Sequence, residues 1–250
     1  MRPTAAAPLM LAFALCACSH AVGGAQGGSL VRPSPPEPVA APQADNYGRI
    51  LLPEGATVVV ESDQTGYAPA LAYERNTAPA INGVDAPRLK DAFPIELARR
   101  LRRKVRVVEA VHPDDLASDG LSRWSTTPPG DVAIISYGLN EATREDDPIP
   151  AADFARAMQA LSDRARSRGG WVVLMPPPPY PEKSLNAALE PYRAVVRAMA
   201  EQPHTLLFDS ARVLAATPKA YASKRRLGDA GQKAVGDALS ALFLVVPRRS

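Results

Sequence analysis

Hydrophobic and polar positions along this chain follow two periods. Short runs of apolar, mostly β-branched residues at Thr57–Val60, Val105–Val108, Val132–Ile135, Trp171–Met175 and Thr205–Phe208 are set off by turn pairs such as Pro129-Gly130 and Gly169-Gly170. Their length, branching and flanks predict strands buried on both faces. Between them stand segments with apolar residues at helical spacing. Phe93–Leu101 carries Phe93, Leu97 and Leu101 on one side and bases on the other, and Phe154–Arg168 turns Met158, Leu161 and Ala165 inward. Leu185–Ala200 and Asp229–Leu244 complete the helical set. Strands and helices alternating at these lengths predict right-handed βαβ units. The expected fold is α/β, a three-layer α/β/α sandwich around a doubly wound parallel sheet of about five strands. One domain, 47–250, accommodates it, and no internal repeat interrupts it.

Composition adds one unusual feature, 26 prolines in 250 residues, many of them upstream of the first strand. Residues 19–46 are Gly-, Pro- and Ala-rich and almost free of large apolar side chains, so they read as a linker. Before them, Arg2 and the apolar stretch Leu9–Leu15 read as an export signal. Leu15-Cys16-Ala17-Cys18 resembles the lipobox of bacterial lipoproteins. That resemblance implies cleavage of residues 1–18 before Cys18 and lipidation of Cys18, with Cys16 the poorer acceptor because Leu15 would precede it. Ser19 after the acceptor implies sorting to the outer membrane, facing the periplasm of a bacterial cell envelope. The expected partner is therefore a membrane, reached through an N-terminal lipid anchor. Both cysteines lie in this segment, so the folded part contains no disulfide, and at its size it needs none. A net charge of +3, evenly spread, gives no argument for nucleic acid as a partner. No pattern suggests a metal or a cofactor.

The candidate chemistry centres on Asp131–Ala142, where the third apolar run ends in Ser136, Tyr137, Gly138, Leu139 and Asn140. In open α/β sheets ligands bind at the carboxyl ends of the strands. An Asn held there can aim its side-chain N–H at a developing oxyanion, although Gly and Asn also shape ordinary strand-to-helix turns. Gly138-Leu139-Asn140-Glu141 resembles the G-x-N-D block of the SGNH (GDSL) hydrolases. Trp171–Pro177 is similar to that family's strand followed by prolines, and Leu227–Gly231 to the tail behind its catalytic His. The resemblance spans nearly all of the folded part. It implies a flavodoxin-like sheet, ester hydrolysis or acyl transfer, an oxyanion-donor role for Asn140 and a turn role for Gly138.

The remaining blocks depart from the pattern. Two frames overlay the family's Gly-Asp-Ser nucleophile block. Strand length favours Ser62-Asp63-Gln64, which puts Gln64 at the nucleophile position; a shift by two puts Ser62 there instead, with Glu61 on the Asp. Asp114 overlays a second oxyanion donor, a Gly, where a carboxylate would oppose the charge to be stabilised. In the last block Ser223 overlays the triad Asp and Arg226 the triad His. Arginine stays protonated in proteins, so it cannot accept a serine proton. Of the three histidines, His20 lies in the linker and His204 before the fifth strand, leaving His112 as the only substitute base. Losing a triad's nucleophile or base costs on the order of a millionfold in turnover, against roughly a hundred- to a thousandfold for one oxyanion donor. Asn140 could not compensate for a missing base. The expectation is an envelope lipoprotein with a family fold and impaired catalysis, acting as a binding or accessory protein for a glycan or an envelope protein. Lys224, Arg225 and Arg226 are its candidate ligand-binding residues. An active serine esterase or acyltransferase using Ser62 is the alternative, and a structural envelope protein a second one.

Overall fold

The structure, a computed structural model, describes residues 43–68, 88–102, 104–123, 125–127, 130–144 and 147–248. The export signal, Cys18 and the linker up to residue 42 lie outside the described residues. The described chain opens with β1 (Gln43–Ala44) and β2 (Ile50–Pro53), followed by β3 (Thr57–Ser62) and a single helical turn, α1 (Gln64–Tyr67). Then come α2 (Phe93–Arg100), β4 (Arg106–Val111), α3 (Ala117–Arg123), β5 (Val132–Ser136), α4 (Leu139–Thr143), α5 (Ala151–Arg166) and β6 (Trp171–Leu174). The remainder is α6 (Lys183–Met199), β7 (Thr205–Leu207), α7 (Ala211–Ala215), β8 (Tyr221–Ser223), β9 (Arg226–Leu227), α8 (Asp229–Ser240) and β10 (Phe243–Val246).

The central sheet has the order β4-β3-β5-β6-β7, with every neighbour parallel. This is the expected doubly wound, flavodoxin-like arrangement of five strands, whose winding reverses between β3 and β5. Alternation along each strand splits the core in two. Val58, Val60, Val132, Ile134 and Val173 face the helix pair that supplies Phe93, Leu97, Val235 and Leu239. Ala133, Ile135, Val172 and Leu174 face Phe154, Met158 and Leu161 of α5 and Tyr192 and Val196 of α6. Each large apolar side chain so buried stabilises the fold by about 1.5–3 kcal/mol. The charges of α5 suit its dipole, with Asp153 in the first turn and Arg164 and Arg166 in the last. Among the described residues no helix is long and apolar enough to cross a membrane.

Three boundaries differ from the sequence pattern. The closing helix stops at Ser240 rather than Leu244, because Phe243–Val246 pairs in parallel with Ile50–Pro53 as β10 against β2. The folded part begins inside the expected linker, since Gln43 and Ala44 pair antiparallel with Leu51 and Ile50. The strand β3 runs two residues past its apolar run. Glu61 and Ser62 stay in register with Ile135 and Ser136 and are fully buried.

Candidate functional site

The site lies where β3 and β5 end side by side, at the reversal of winding. Asp63 closes β3 and caps α1, its Oδ1 accepting from the Thr65 N–H at 2.8 Å. Its Oδ2 accepts from the Leu139 N–H at 3.2 Å and so ties the β3–α1 turn to the β5–α4 turn. Burial pushes the Asp63 carboxyl up to about 6, against the lowering effect of these donors.

The β5–α4 turn depends on Gly138, whose φ of +118° suits glycine and whose missing Cβ leaves room for Pro177. Glu141, the residue that replaces the Asp of the block, bridges two loops. It accepts from the Gly138 N–H at 2.9 Å and the Ala117 N–H at 2.7 Å. Burial pushes its carboxyl up to about 7, and the nearby Asp63 adds to the rise.

Asn140 uses its whole side chain. Its Nδ2 donates to the Pro113 and Asp115 carbonyls at 2.7 and 2.8 Å, and its Oδ1 accepts from Gln64 Nε2 at 2.8 Å. The two carbonyls fix the orientation, since turning the amide over would set oxygen against oxygen. Asn140, expected as an oxyanion donor, here clamps the loop after β4 with both of its side-chain N–H groups.

A small cavity of about 20 Å³ opens beside these turns, lined by Gln64, Thr65, Tyr180, Arg226 and Gln232 among others. Its walls are cross-braced. Gln232 donates to the Thr65 carbonyl at 2.9 Å while accepting from the Phe93 N–H at 3.0 Å. Burial drives the Tyr180 phenol upward.

A family model described as GDSL-like lipase/acylhydrolase matches residues 75–234, well over half of the chain and beginning beyond the Ser62–Gln64 segment. The chain belongs to the GDSL-like lipase/acylhydrolase family. The GDSL fold also appears in solved structures. A G-D-S-L family protein from Desulfitobacterium hafniense shares 20% identity, with a TM-score of 0.59 over 75% of this chain and 99% of that one. An acetylxylan esterase from Geobacillus stearothermophilus shares 19%, with a TM-score of 0.58 over 76% and 95%. A carbohydrate acetylesterase from Sinorhizobium meliloti shares 15%, with a TM-score of 0.56 over 74% and 97%. The search of curated proteins found no match.

Within this GDSL-family chain, the structure brings together Gln64, Arg225 and Arg226 at the cavity. Ser62 is not there. It is fully buried on the sheet, its Oγ donating to the Ser136 carbonyl at 3.0 Å and accepting from the Gly66 N–H at 3.0 Å. Gly66 must be glycine for this, since a Cβ would stand 2.7 Å from the Ser62 Oγ. The Ser62 hydroxyl, a candidate nucleophile by sequence, is engaged here as a structural tie, whereas Gln64 is the residue of that segment that lines the cavity. Asp114 is exposed and does not line the cavity. Ser223 accepts from the Arg225 N–H at 3.2 Å, as a turn residue. Lys224 is exposed and away from the cavity; its carbonyl accepts from the Glu182 N–H at 3.2 Å. Arg225 reaches Glu182 at 3.4 Å. His112 follows β4 half-buried, its imidazole pushed down by burial and by Arg123. His204 stacks on Trp171 at the far edge of the sheet, their ring centroids 5.2 Å apart. The cavity residues missed from sequence are Thr65, Tyr180 and Gln232. Only Gln232, one turn into the helix behind the Leu227–Gly231 tail, carried a positional signal.

Proposed function

We propose that this chain is an envelope lipoprotein of the GDSL-like family in which the hydrolase site has become a binding site, and that it serves as an accessory protein for a glycan or an envelope partner. One observation carries this reading. Gln64, at the nucleophile position, lines the same cavity as Arg226, at the position of the triad base. An amide is a poor nucleophile and a guanidinium holds its proton, so neither step of acyl transfer has an agent. The cation and the amides suit an anionic or hydroxyl-rich ligand instead. Glycans come first as a ligand class, because two of the structural relatives are esterases of carbohydrates or xylan.

The test pairs an activity with a binding measurement on the full chain. Activated acetate esters and acetylated glycans are expected to stay uncleaved above the buffer rate. Binding on a glycan array, or capture of an envelope partner, is expected to be lost in Arg226→Ala while circular dichroism stays unchanged. Turnover that disappears in Ser62→Ala with the fold intact would restore the esterase alternative. Lipid labelling of Cys18, abolished in Cys18→Ser, tests the anchor separately.

A further inference from the structure

The most basic stretch of the chain lies at the other end of the sheet from the candidate site. Arg99-Arg100-Leu101-Arg102-Arg103-Lys104-Val105-Arg106 runs from the end of α2 into β4. Cations suit the C-terminal end of a helix, where the last carbonyls carry partial negative charge. Arg99 and Arg100 also have acidic partners in Asp91, Glu96 and Asp237, and Lys104 has Glu54 at 2.7 Å. Arg102 and Arg106 differ: both are exposed, and neither makes an ion pair among the described residues, nor does the exposed Arg248. A backbone ladder gathers them around one turn. The Val246 carbonyl accepts from the Glu54 N–H at 2.9 Å, Lys104 from Gly55 at 2.8 Å, and Ala56 from Arg106 at 2.8 Å.

Two further features set this end apart. Arg102 follows the helix C-cap at a φ of +52°, a position where glycine is favoured, so an arginine there accepts backbone strain to keep its side chain. Beside it lies a cavity of about 210 Å³, with Arg100, Arg102 and Lys104 on its rim and Leu101, Phe243 and Val245 as its apolar lining.

Chain length says what covers this surface. The small sheet has the order β1-β2-β10, so Gln43 in β1 stands about two strand spacings, roughly 10 Å, from β10. Gln43 is only 25 positions after Cys18 (43 − 18 = 25). The described chain therefore opens beside the basic end. The candidate site lies at the opposite ends of the same strands, where Ser62 pairs with Ser136 rather than Thr57 with Arg106.

We infer that Arg102, Arg106 and Arg248, with the cavity that Arg102 borders, form a membrane-facing surface that takes the anionic headgroups of a phospholipid bilayer. Docked this way, the domain turns the ends of β3 and β5 away from the bilayer and presents the candidate site to whatever lies beyond. The orientation rests on the lipid-anchor reading, whereas the charge recognition does not.

The test uses the full-length Cys18→Ser chain, which carries no lipid, floated with vesicles of phosphatidylcholine alone or vesicles containing phosphatidylglycerol. Each cation near an anionic surface strengthens partitioning about fivefold. Recruitment is expected on the phosphatidylglycerol vesicles and to fall by more than about a hundredfold in Arg102→Glu/Arg106→Glu/Arg248→Glu, which removes three cations and adds three anions. High salt is expected to remove it likewise, and the triple Arg→Lys variant to retain it. Equal flotation on both vesicle types, or an unchanged preference in the charge-reversed but folded variant, overturns the inference. Failure of lipid labelling at Cys18 in cells would remove the anchor and leave this result standing.

Discussion

Gln64 and Asn140 are hydrogen-bonded to each other across the gap between β3 and β5, Nε2 to Oδ1 at 2.8 Å. The residues that the family resemblance overlays on a nucleophile and an oxyanion donor are here joined side chain to side chain. Because Asn140 also holds Pro113 and Asp115, its substitution should act on stability. Asn140→Ala is expected to lower unfolding free energy by about 2–3 kcal/mol, from three lost hydrogen bonds and two carbonyls left short of donors. Asn140→Asp should cost more, since it sets a carboxylate against those carbonyls. Urea denaturation reads both; equal stability of wild type and Asn140→Ala would contradict the clamp.

Restoring the nucleophile alone should not restore an enzyme. Gln64→Ser puts a hydroxyl at the cavity, with Arg226 still at the position the resemblance overlays on the base and both Asn140 N–H groups still occupied. Since triad members act as a unit, turnover of p-nitrophenyl acetate is expected to stay at background, against the millionfold or so that a complete triad supplies. The only expected change is a loss of about 0.5–1.5 kcal/mol in stability from the broken amide bond. Serine-dependent turnover in this variant would place a working base in the site.

The strands were legible because parallel strands buried on both faces are unbroken apolar runs, and all five of the central sheet stand where the pattern places them. The edges were less so. Glu61 and Ser62 look like loop residues, and only their burial against Ile135 and Ser136 makes them strand. Leu239, Leu242 and Phe243 keep helical spacing after α8 ends, which hid β10, whose existence depends on a partner almost two hundred residues earlier. In the site, Gln64 and Arg226 could be paired through a family resemblance. Tyr180 could not, because it reaches the cavity through a proline loop held by Arg193, which donates to the Pro177 and Pro178 carbonyls at 2.8 and 2.7 Å. No local pattern encodes that contact.

Gly138→Ala tests the turn that positions Asn140. At a φ of +118° a side chain is strained, and its Cβ would stand 2.7 Å from Pro177 Cγ. Strain of this kind costs about 1–3 kcal/mol before the clash is counted. The melting temperature is expected to fall by more than 5 °C or so for a domain of this size. An unchanged melting temperature would mean that the turn relaxes freely.

Stability should also depend on pH in a direction unusual for carboxylates. Glu61 is fully buried, its Oε2 accepting from the Tyr137 hydroxyl at 3.5 Å and its Oε1 without a hydrogen-bond partner among the described residues, and burial pushes it up to about 7 against the opposing charge of Arg123. Glu141 stands at about 7 and Asp63 at about 6, for the same first reason. A carboxyl raised in the folded state keeps a proton that the unfolded chain has already released. Its contribution is therefore whole below the ordinary carboxylate range and is lost as pH climbs through 6 to 7. Asp45 and Asp237 are held low instead and lose their contribution only in more acid solution, outside this window. The urea midpoint is thus expected to be higher at pH 5 than at pH 8, by an amount equivalent to about 2–5 kcal/mol. Glu61→Gln keeps the shape and removes one titration, so it should flatten the dependence and gain about 1–3 kcal/mol at pH 8. A midpoint that rises from pH 5 to pH 8 would mean that these carboxyls are ionised in the folded chain, with Arg123 outweighing burial at Glu61.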